Sequence, residues 1–247
     1  MDKPLLGVKD LCKKFGGVLA LNYVNLQFKD RGVKSIIGPN GAGKTTLINV
    51  ISGKLKPSSG HVEFSGQDIT ALPPHRLAHI GILRTFQITE ILPGLSVFEN
   101  VRIARQSILG GSMKLFSSIS SLKRVNMDTW EVLERIRLHE KAHLIARNLA
   151  HGDQRLLEIG MALACNPKLL FLDEPTAGMS PLETQHIASL IKELSKEISI
   201  VLVEHDMEVV MSISDEIAVL HQGSVIAEGP PEVVRQDKKV VEAYLGE

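Results

Sequence analysis

The sequence predicts an α/β protein with a largely parallel sheet core, an antiparallel β part and an inserted helical subdomain. Three observations carry this. The β-prone runs "VKSII", "KLLFLDE", "SIVLVEH" and "IAVLHQG" alternate with helical patterns, and such strands form a largely parallel sheet covered on both faces. A Gly-rich stretch, "GPNGAGKTT", lies between the first of these strands and a helix. From about residue 88 to 164 helical periodicity replaces the strands. The expected organisation is one domain, with a core at about 1–87 and 165–229, the helical subdomain at about 88–164 and a helical tail at about 230–247.

Taken in order, "VKSII" at 33–37 is a short strand, and Leu47, Ile48, Val50 and Ile51 follow at helical spacing. Turn residues flank the β-prone "HVEF" within "KPSSGHVEFSGQDI", and "GILRTF" at 81–86 reads as another short strand. Ser96 and Glu99 fit a capping box at the start of the insertion, and "MDTWEVLERIRL" carries apolar residues at helical intervals. Between them "SILGGSMKLFSSISS", rich in Ser and Gly, reads as a surface loop. In "LAHGDQRLLEIG", residues 149–160, Gly152 and Asp153 read as a turn that opens a helix packed through Leu156, Leu157, Ile159, Met161 and Leu163. After residue 165 the strands return, with a helix whose capping box is Ser180 and Glu183 and whose first position is Pro181. The tail "PPEVVRQDKKVVEAYLGE" reads as helical.

Composition narrows the function. A chain of 247 residues, 44% hydrophobic and 23% charged, is ordinary for a globular protein. Its 28 basic and 28 acidic side chains cancel, which argues against nucleic acid as a partner and requires any bound anion to be held locally. Cys12 and Cys165 lie far apart, which fits reduced thiols in a cytosol and offers no metal-ligand spacing. No signal peptide and no membrane span are expected, so a membrane role would come through a partner.

The chemistry begins at Gly38 to Thr46. The pattern G-x-x-x-x-G-K-[ST] stands in its proper context, a strand before and a helix after. Gly41 and Gly43 let backbone N–H groups turn inward, the helix start adds positive potential, Lys44 reaches the outer phosphates, and the Thr45 hydroxyl suits Mg²⁺. Asp173 ends an apolar strand where it suits the metal, and Glu174 follows on the opposite face, where it suits orienting or deprotonating water. Gln87, at the end of "GILRTFQ", has an amide that can contact Mg²⁺ or the attacking water. His205 in "LVEHDM" ends another strand, placed to hydrogen-bond a terminal phosphate.

Assembled, these residues resemble the ATPase subunit of an ATP-binding cassette (ABC) transporter, a P-loop NTPase, along essentially the whole chain. The resemblance implies ATP and Mg²⁺ as cofactors. It makes Gly38, Pro39, Asn40, Gly41, Ala42, Gly43, Lys44, Thr45 and Thr46 the Walker A loop and Gln87 the Q-loop residue. Asp173 and Glu174 become the Walker B aspartate and catalytic glutamate, and His205 the switch histidine. Phe15 in "KKFGG" falls where the family stacks an aromatic ring on adenine. Leu149 to Asp153 falls at the signature loop, through which Ala150, His151 and Gly152 would face the nucleotide of a second subunit.

The wording of "RTFQ", "LEIGMALA", "EPTAGMSP" and "AYLGE" is similar to ATPases of the branched-chain amino acid, amide and urea importer group. The lipopolysaccharide-export type ends similarly, but "RTFQ" favours the importers. A non-transport regulatory cassette and a P-loop kinase are the readings from other classes. The implied partners are a second ATPase, identical or paralogous, permease subunits through which the chain sits on the cytoplasmic face of the membrane, and indirectly a solute-binding protein. Coupling to the permease is expected through "ITEILPGLSVFENV", with Glu90 and Glu99 as its charged members. The signature loop departs from the usual L-S-G-G-Q at Ala150, His151 and Asp153. A missing hydrogen bond to a charged group costs about 1.5–3 kcal/mol, so weakened hydrolysis is one expectation, and a plain helix-dipole role for Asp153 is the other.

Overall fold

The computed structural model describes residues 3–85, 91–109 and 119–245, without the side chains of 119–122 and 245. It opens on a hairpin, β1 (Leu6–Phe15) and β2 (Val18–Phe28), followed by β3 (Gly32–Ile37), α1 (Lys44–Ile51), β4 (Ser59–Phe64) and β5 (Gln67–Asp68). Next come α2 (Pro74–His79) and β6 (Ile82–Arg84). The helical stretch is α3 (Val97–Ile108), α4 (Ile119–Arg135), two 3₁₀ turns and α5 (His151–Ala164). Then β7 (Leu169–Asp173), α6 (Pro181–Leu194), β8 (Ser199–Val203), α7 (Met207–Ile213), β9 (Glu216–His221) and β10 (Ser224–Gly229) lead to α8 (Pro231–Val234) and α9 (Lys238–Leu245).

Two sheets result. One is antiparallel, in the order β2-β1-β4-β5; the other, β10-β9-β3-β8-β7-β6, is parallel from β9 to β6 and antiparallel only where β10 joins β9. The parallel strands alternate faces as their pleat requires. Phe171, Val201 and Val203 join the core that contains α1 and the antiparallel sheet, whereas Leu170, Leu172, Ile200 and Leu202 join the core formed with α3, α4, α5 and α6. Both faces are therefore buried, which explains why these strands read as unbroken apolar runs. The helix that opens the Gly-rich loop is wedged between the two sheets through Leu47, Ile48 and Ile51, all essentially inaccessible. This packing fixes the direction of α1 and therefore the direction of its N-terminus.

Several expectations need correction. Helix α5 starts at His151 after Ala150 in an extended conformation, so Gly152 and Asp153 lie in its first turn rather than forming a turn before it. Strand β6 stops at Arg84. Residues 110–118 of the expected surface loop lie outside the described residues, and its two ends belong to α3 and α4. Ser96 does cap α3 by accepting from the Glu99 N–H, but the Glu99 carboxylate turns to Arg102 at 2.5 Å instead of closing the box. The Ser180–Glu183 box is complete, with Pro181 at the first position.

Candidate functional site

The loop between β3 and α1 is held in its shape by backbone conformations that favour glycine. Gly38 has φ 149, and a Cβ there would stand 2.0 Å from the Leu220 carbonyl oxygen; Gly43 has φ 104, with a Cβ 2.6 Å from the Ala20 oxygen. The loop is thus pinned between β9 and the hairpin. Pro39 and Ala42 are buried, while Asn40, Gly41 and Thr45 are exposed at its mouth and Gly43 and Thr46 lie part-way. Buried Lys44 donates from Nζ to the Gly38 oxygen at 2.6 Å and the Pro39 oxygen at 3.0 Å, which draws the ammonium over the loop. The first turn of α1 adds N–H groups that no intrahelical acceptor takes, together with the positive end of the helix dipole. A concave cradle of this kind binds phosphate.

Asp173 ends β7, which is separated from β3 by β8 in the parallel sheet, and Glu174 follows it outside the strand. Asp173 is the last strand residue, buried, with Oδ2 accepting from Arg84 Nη2 at 2.7 Å and its backbone oxygen accepting from Arg155 Nη2 at 2.5 Å. Glu174 leaves the strand with φ 46, a left-handed conformation rare outside glycine, while its N–H still donates to the Val203 oxygen at 2.8 Å. The backbone kink, more than strand alternation, separates the two carboxylates.

His205, just beyond β8, places Nε2 3.0 Å from Glu174 Oε1. Behind the pair stands Glu204, buried, which sequence reasoning missed. Its Oε1 accepts from the Thr176 N–H at 3.0 Å and from the Thr176 hydroxyl, and its Oε2 accepts from the His205 N–H at 2.9 Å. Glu204 thereby ties the loop that follows Glu174 to the residue that carries the histidine. Asp206 caps α7 immediately afterwards, accepting from the N–H groups of Glu208 and Val209, which stops the chain from fraying past His205.

The other expected residues are more dispersed. Phe15 ends β1 and is 46% exposed, with Lys13 Nζ over its ring at 5.0 Å from the centre. Gln87 and Glu90 lie outside the described residues. Ala150 and His151 are exposed at the start of α5, and Gly152 is buried there. A Cβ on Gly152 would stand 2.7 Å from Glu183 Oε1, so glycine makes room for the carboxylate of the α6 capping box. Hydrogen bonds from Ser180, with His151 nearby, hold the Glu183 carboxyl below its ordinary range. Asp153 pairs with Lys141 at 2.5 Å and sits in the first turn of α5, which favours the helix-dipole reading of that substitution.

A phosphate loop opening a helix, together with an acidic strand end in a parallel sheet, defines a nucleoside triphosphatase. The family described as "ABC transporter" matches residues 21–177, and that described as "Branched-chain amino acid ATP-binding cassette transporter" matches residues 224–247. The chain is 43% identical, over the full length of both proteins, to the high-affinity branched-chain amino acid transport ATP-binding protein LivG of Escherichia coli K12. Among solved structures, the ADP conformation of the ATP-binding cassette MJ1267 covers 100% of both chains at 36% identity and a TM-score of 0.86. A dimeric post-hydrolysis state of the cassette MJ0796 bound to ADP and Pi covers 92% of this chain and 98% of its own, at 28% identity and a TM-score of 0.76. The chain belongs to the ABC transporter family and is an ATP-hydrolysing cassette of it.

Magnesium, the cation such ATPases use, prefers oxygen ligands and retains several from water and phosphate. The residues present fit that demand. Thr45 offers an exposed hydroxyl at the loop and Asp173 a carboxylate at the end of β7.

Proposed function

We propose that this chain powers an importer of branched-chain amino acids or a related small polar solute. It would work as one of two cassettes, identical or paralogous, beneath permease subunits on the cytoplasmic face of the membrane, with a solute-binding protein supplying the cargo. The observation that carries this reading is full-length 43% identity to a protein named for branched-chain amino acid transport. The match at residues 224–247 supports it from the part of the chain that holds no nucleotide chemistry.

Within the cassette, residues Gly38 to Thr46 cradle the triphosphate, Lys44 neutralises its outer charge, and Phe15 stacks on the base. Thr45, Asp173 and Gln87 hold Mg²⁺, which when bound offsets the phosphate charge. Glu174 orients and deprotonates water, and His205 steadies both Glu174 and the terminal phosphate. The start of α5, with Ala150, His151 and Gly152, meets the phosphate tail bound by the other subunit. Phosphoryl transfer to water is mainly a matter of position and charge, which two facing half-sites supply.

Affinity purification of the tagged chain from detergent extract tests this directly. Multispanning membrane subunits and a second cassette are expected to copurify, and deletion of the gene is expected to lower leucine, isoleucine and valine uptake at least several-fold. A purely soluble set of partners overturns the transporter reading. Unchanged uptake of those amino acids with lost urea or amide uptake overturns the solute assignment.

The atypical signature loop carries its own test. Ala150 caps α5 without any side-chain hydrogen bond. Ala150→Ser is expected to stabilise the chain by about 1 kcal/mol through N-capping, read as a shift in the urea midpoint. It is also expected to raise ATP turnover by roughly tenfold through one added hydrogen bond to a charged phosphate. Stabilisation without faster turnover would mean that Ala150 is no handicap to hydrolysis.

A further inference from the structure

Arg84 is the last residue of β6, at the edge of the parallel sheet, and its side chain is 8% exposed. Its guanidinium spans two elements. Nη2 donates to Asp173 Oδ2 at 2.7 Å on β7, and Nη1 donates to Asn49 Oδ1 at 2.5 Å on α1, the helix that opens the phosphate loop. A buried cation of this size is expensive to place and is retained where its planar fork meets acceptors that a lysine could not serve together. Both acceptors here belong to the elements that build the nucleotide site.

We infer that Arg84 is a positioning residue for the metal: it fixes the Asp173 carboxylate in one orientation relative to α1, engaging Oδ2 and leaving Oδ1 for the cation. This deepens the proposed function and rests on its assignment of Asp173 to Mg²⁺. The restraint is two-sided, because Arg155 of α5 holds the backbone oxygen of the same residue at 2.5 Å and pairs with Glu158, also at 2.5 Å. With the main chain held by one guanidinium and the side chain by another, Asp173 keeps little freedom to follow a cation. The carboxylate is oriented before the ion arrives, and groups that orient a ligand in this way govern metal affinity. The link to Asn49 has a further consequence, since it ties the carboxylate to the same helix that carries Thr45. Two oxygen donors for one ion are then set at a fixed separation by a single side chain.

The test is a Mn²⁺ titration followed by electron paramagnetic resonance, with the full chain saturated by a non-hydrolysable ATP analogue. Arg84→Gln is expected to raise the half-saturating Mn²⁺ concentration about tenfold, while affinity for the analogue in EDTA stays within twofold. Arg84→Lys is expected to recover part of the loss, since it keeps the charge and loses the second arm. Asn49→Ala, which leaves the Arg84–Asp173 pair in place and keeps the test open if Arg84→Gln does not fold, is expected to give a smaller loss of roughly threefold. Unchanged Mn²⁺ affinity in folded Arg84→Gln overturns the proposal, as does tighter binding, which would mean that the guanidinium competes with the ion. If Arg84→Gln does not fold, unchanged affinity in Asn49→Ala overturns it. Asp173→Asn separates the two levels. Weakened binding there with none in Arg84→Gln sinks only the positioning role, whereas unaltered binding in Asp173→Asn sinks the assignment of Asp173 itself.

Discussion

Replacing Glu174 by Gln is expected to lower ATP turnover by about two to four orders of magnitude, the range over which a positioned general base acts. The amide is nearly isosteric, and it can keep a hydrogen bond to His205 Nε2 across the 3.0 Å that now separates the pair. It cannot take a proton from water. Nucleotide binding, which we assign to the loop from Gly38 to Thr46, is expected to persist, so the protein should accumulate as an ATP-bound dimer. Size-exclusion chromatography with and without saturating Mg-ATP, in the presence of the natural partner cassette, reads this directly. A variant that hydrolyses ATP at the original rate removes Glu174 from the role of base, and one that stays monomeric counts against a nucleotide site shared between two cassettes.

The companion substitution His205→Ala separates positioning from proton transfer. Glu174 holds a left-handed backbone at φ 46, a conformation that costs about 1–3 kcal/mol and persists only where the surroundings impose it. The Glu174 N–H bond to the Val203 oxygen and the Glu204 bridge between Thr176 and His205 are those surroundings. Loss of the imidazole removes a contact to the carboxylate without releasing its backbone. The backbone position of Glu174 is therefore held without the imidazole, whose contact with the carboxylate is a separate contribution.

What was legible in the sequence follows from how local each cause is. The loop at Gly38 to Thr46 announces itself because glycine, lysine and threonine must stand at fixed offsets on one strand-turn-helix unit. The strands Leu169–Asp173 and Ser199–Val203 were equally readable, since burial on both faces leaves an unbroken apolar run. The hairpin of β1 and β2 was not assigned in detail. Its register slips between Val8 and Leu11 and again between Leu11 and Lys13, and such bulges break the alternation on which a strand reading depends. Helix α7 is seven residues long, too short for a clear 3.6 period, yet Asp206 standing before "MEVV" was a usable cap signal.

Arg84, Arg155 and Glu204 were missed for a different reason. Each acts by reaching an element distant in sequence, 89 positions from Arg84 to Asp173 and 28 from Thr176 to Glu204. Nothing in the neighbourhood of "GILRTF" says that its arginine will be buried. The turn predicted at Gly152 failed similarly. Gly next to Asp usually signals a turn, but here Glu183 on α6 occupies the space where a side chain would sit, so the glycine serves packing inside a helical turn.

Gly38→Ala is expected to be the most damaging single change to nucleotide binding, and its comparison with Gly41→Ala isolates the cause. Both residues have positive φ, 149 and 77, so both substitutions carry a backbone penalty of about 1–3 kcal/mol. They differ in space. An alanine Cβ at 38 meets the Leu220 carbonyl oxygen at 2.0 Å, and that oxygen belongs to the parallel sheet and cannot yield without disturbing β9. At 41 a Cβ meets nothing within 4 Å. The loop must therefore leave its path in the first variant and can keep it in the second. Urea unfolding is expected to show a loss larger by at least about 2 kcal/mol for Gly38→Ala than for Gly41→Ala, the scale of strain from overpacking. Affinity for ATP, measured by equilibrium binding in EDTA, is expected to fall at least a hundredfold in Gly38→Ala, because its peptide units no longer converge on the phosphates. Equal stability losses in the two variants would mean that left-handed backbone strain, and not the wall formed by β9, sets the shape of the cradle.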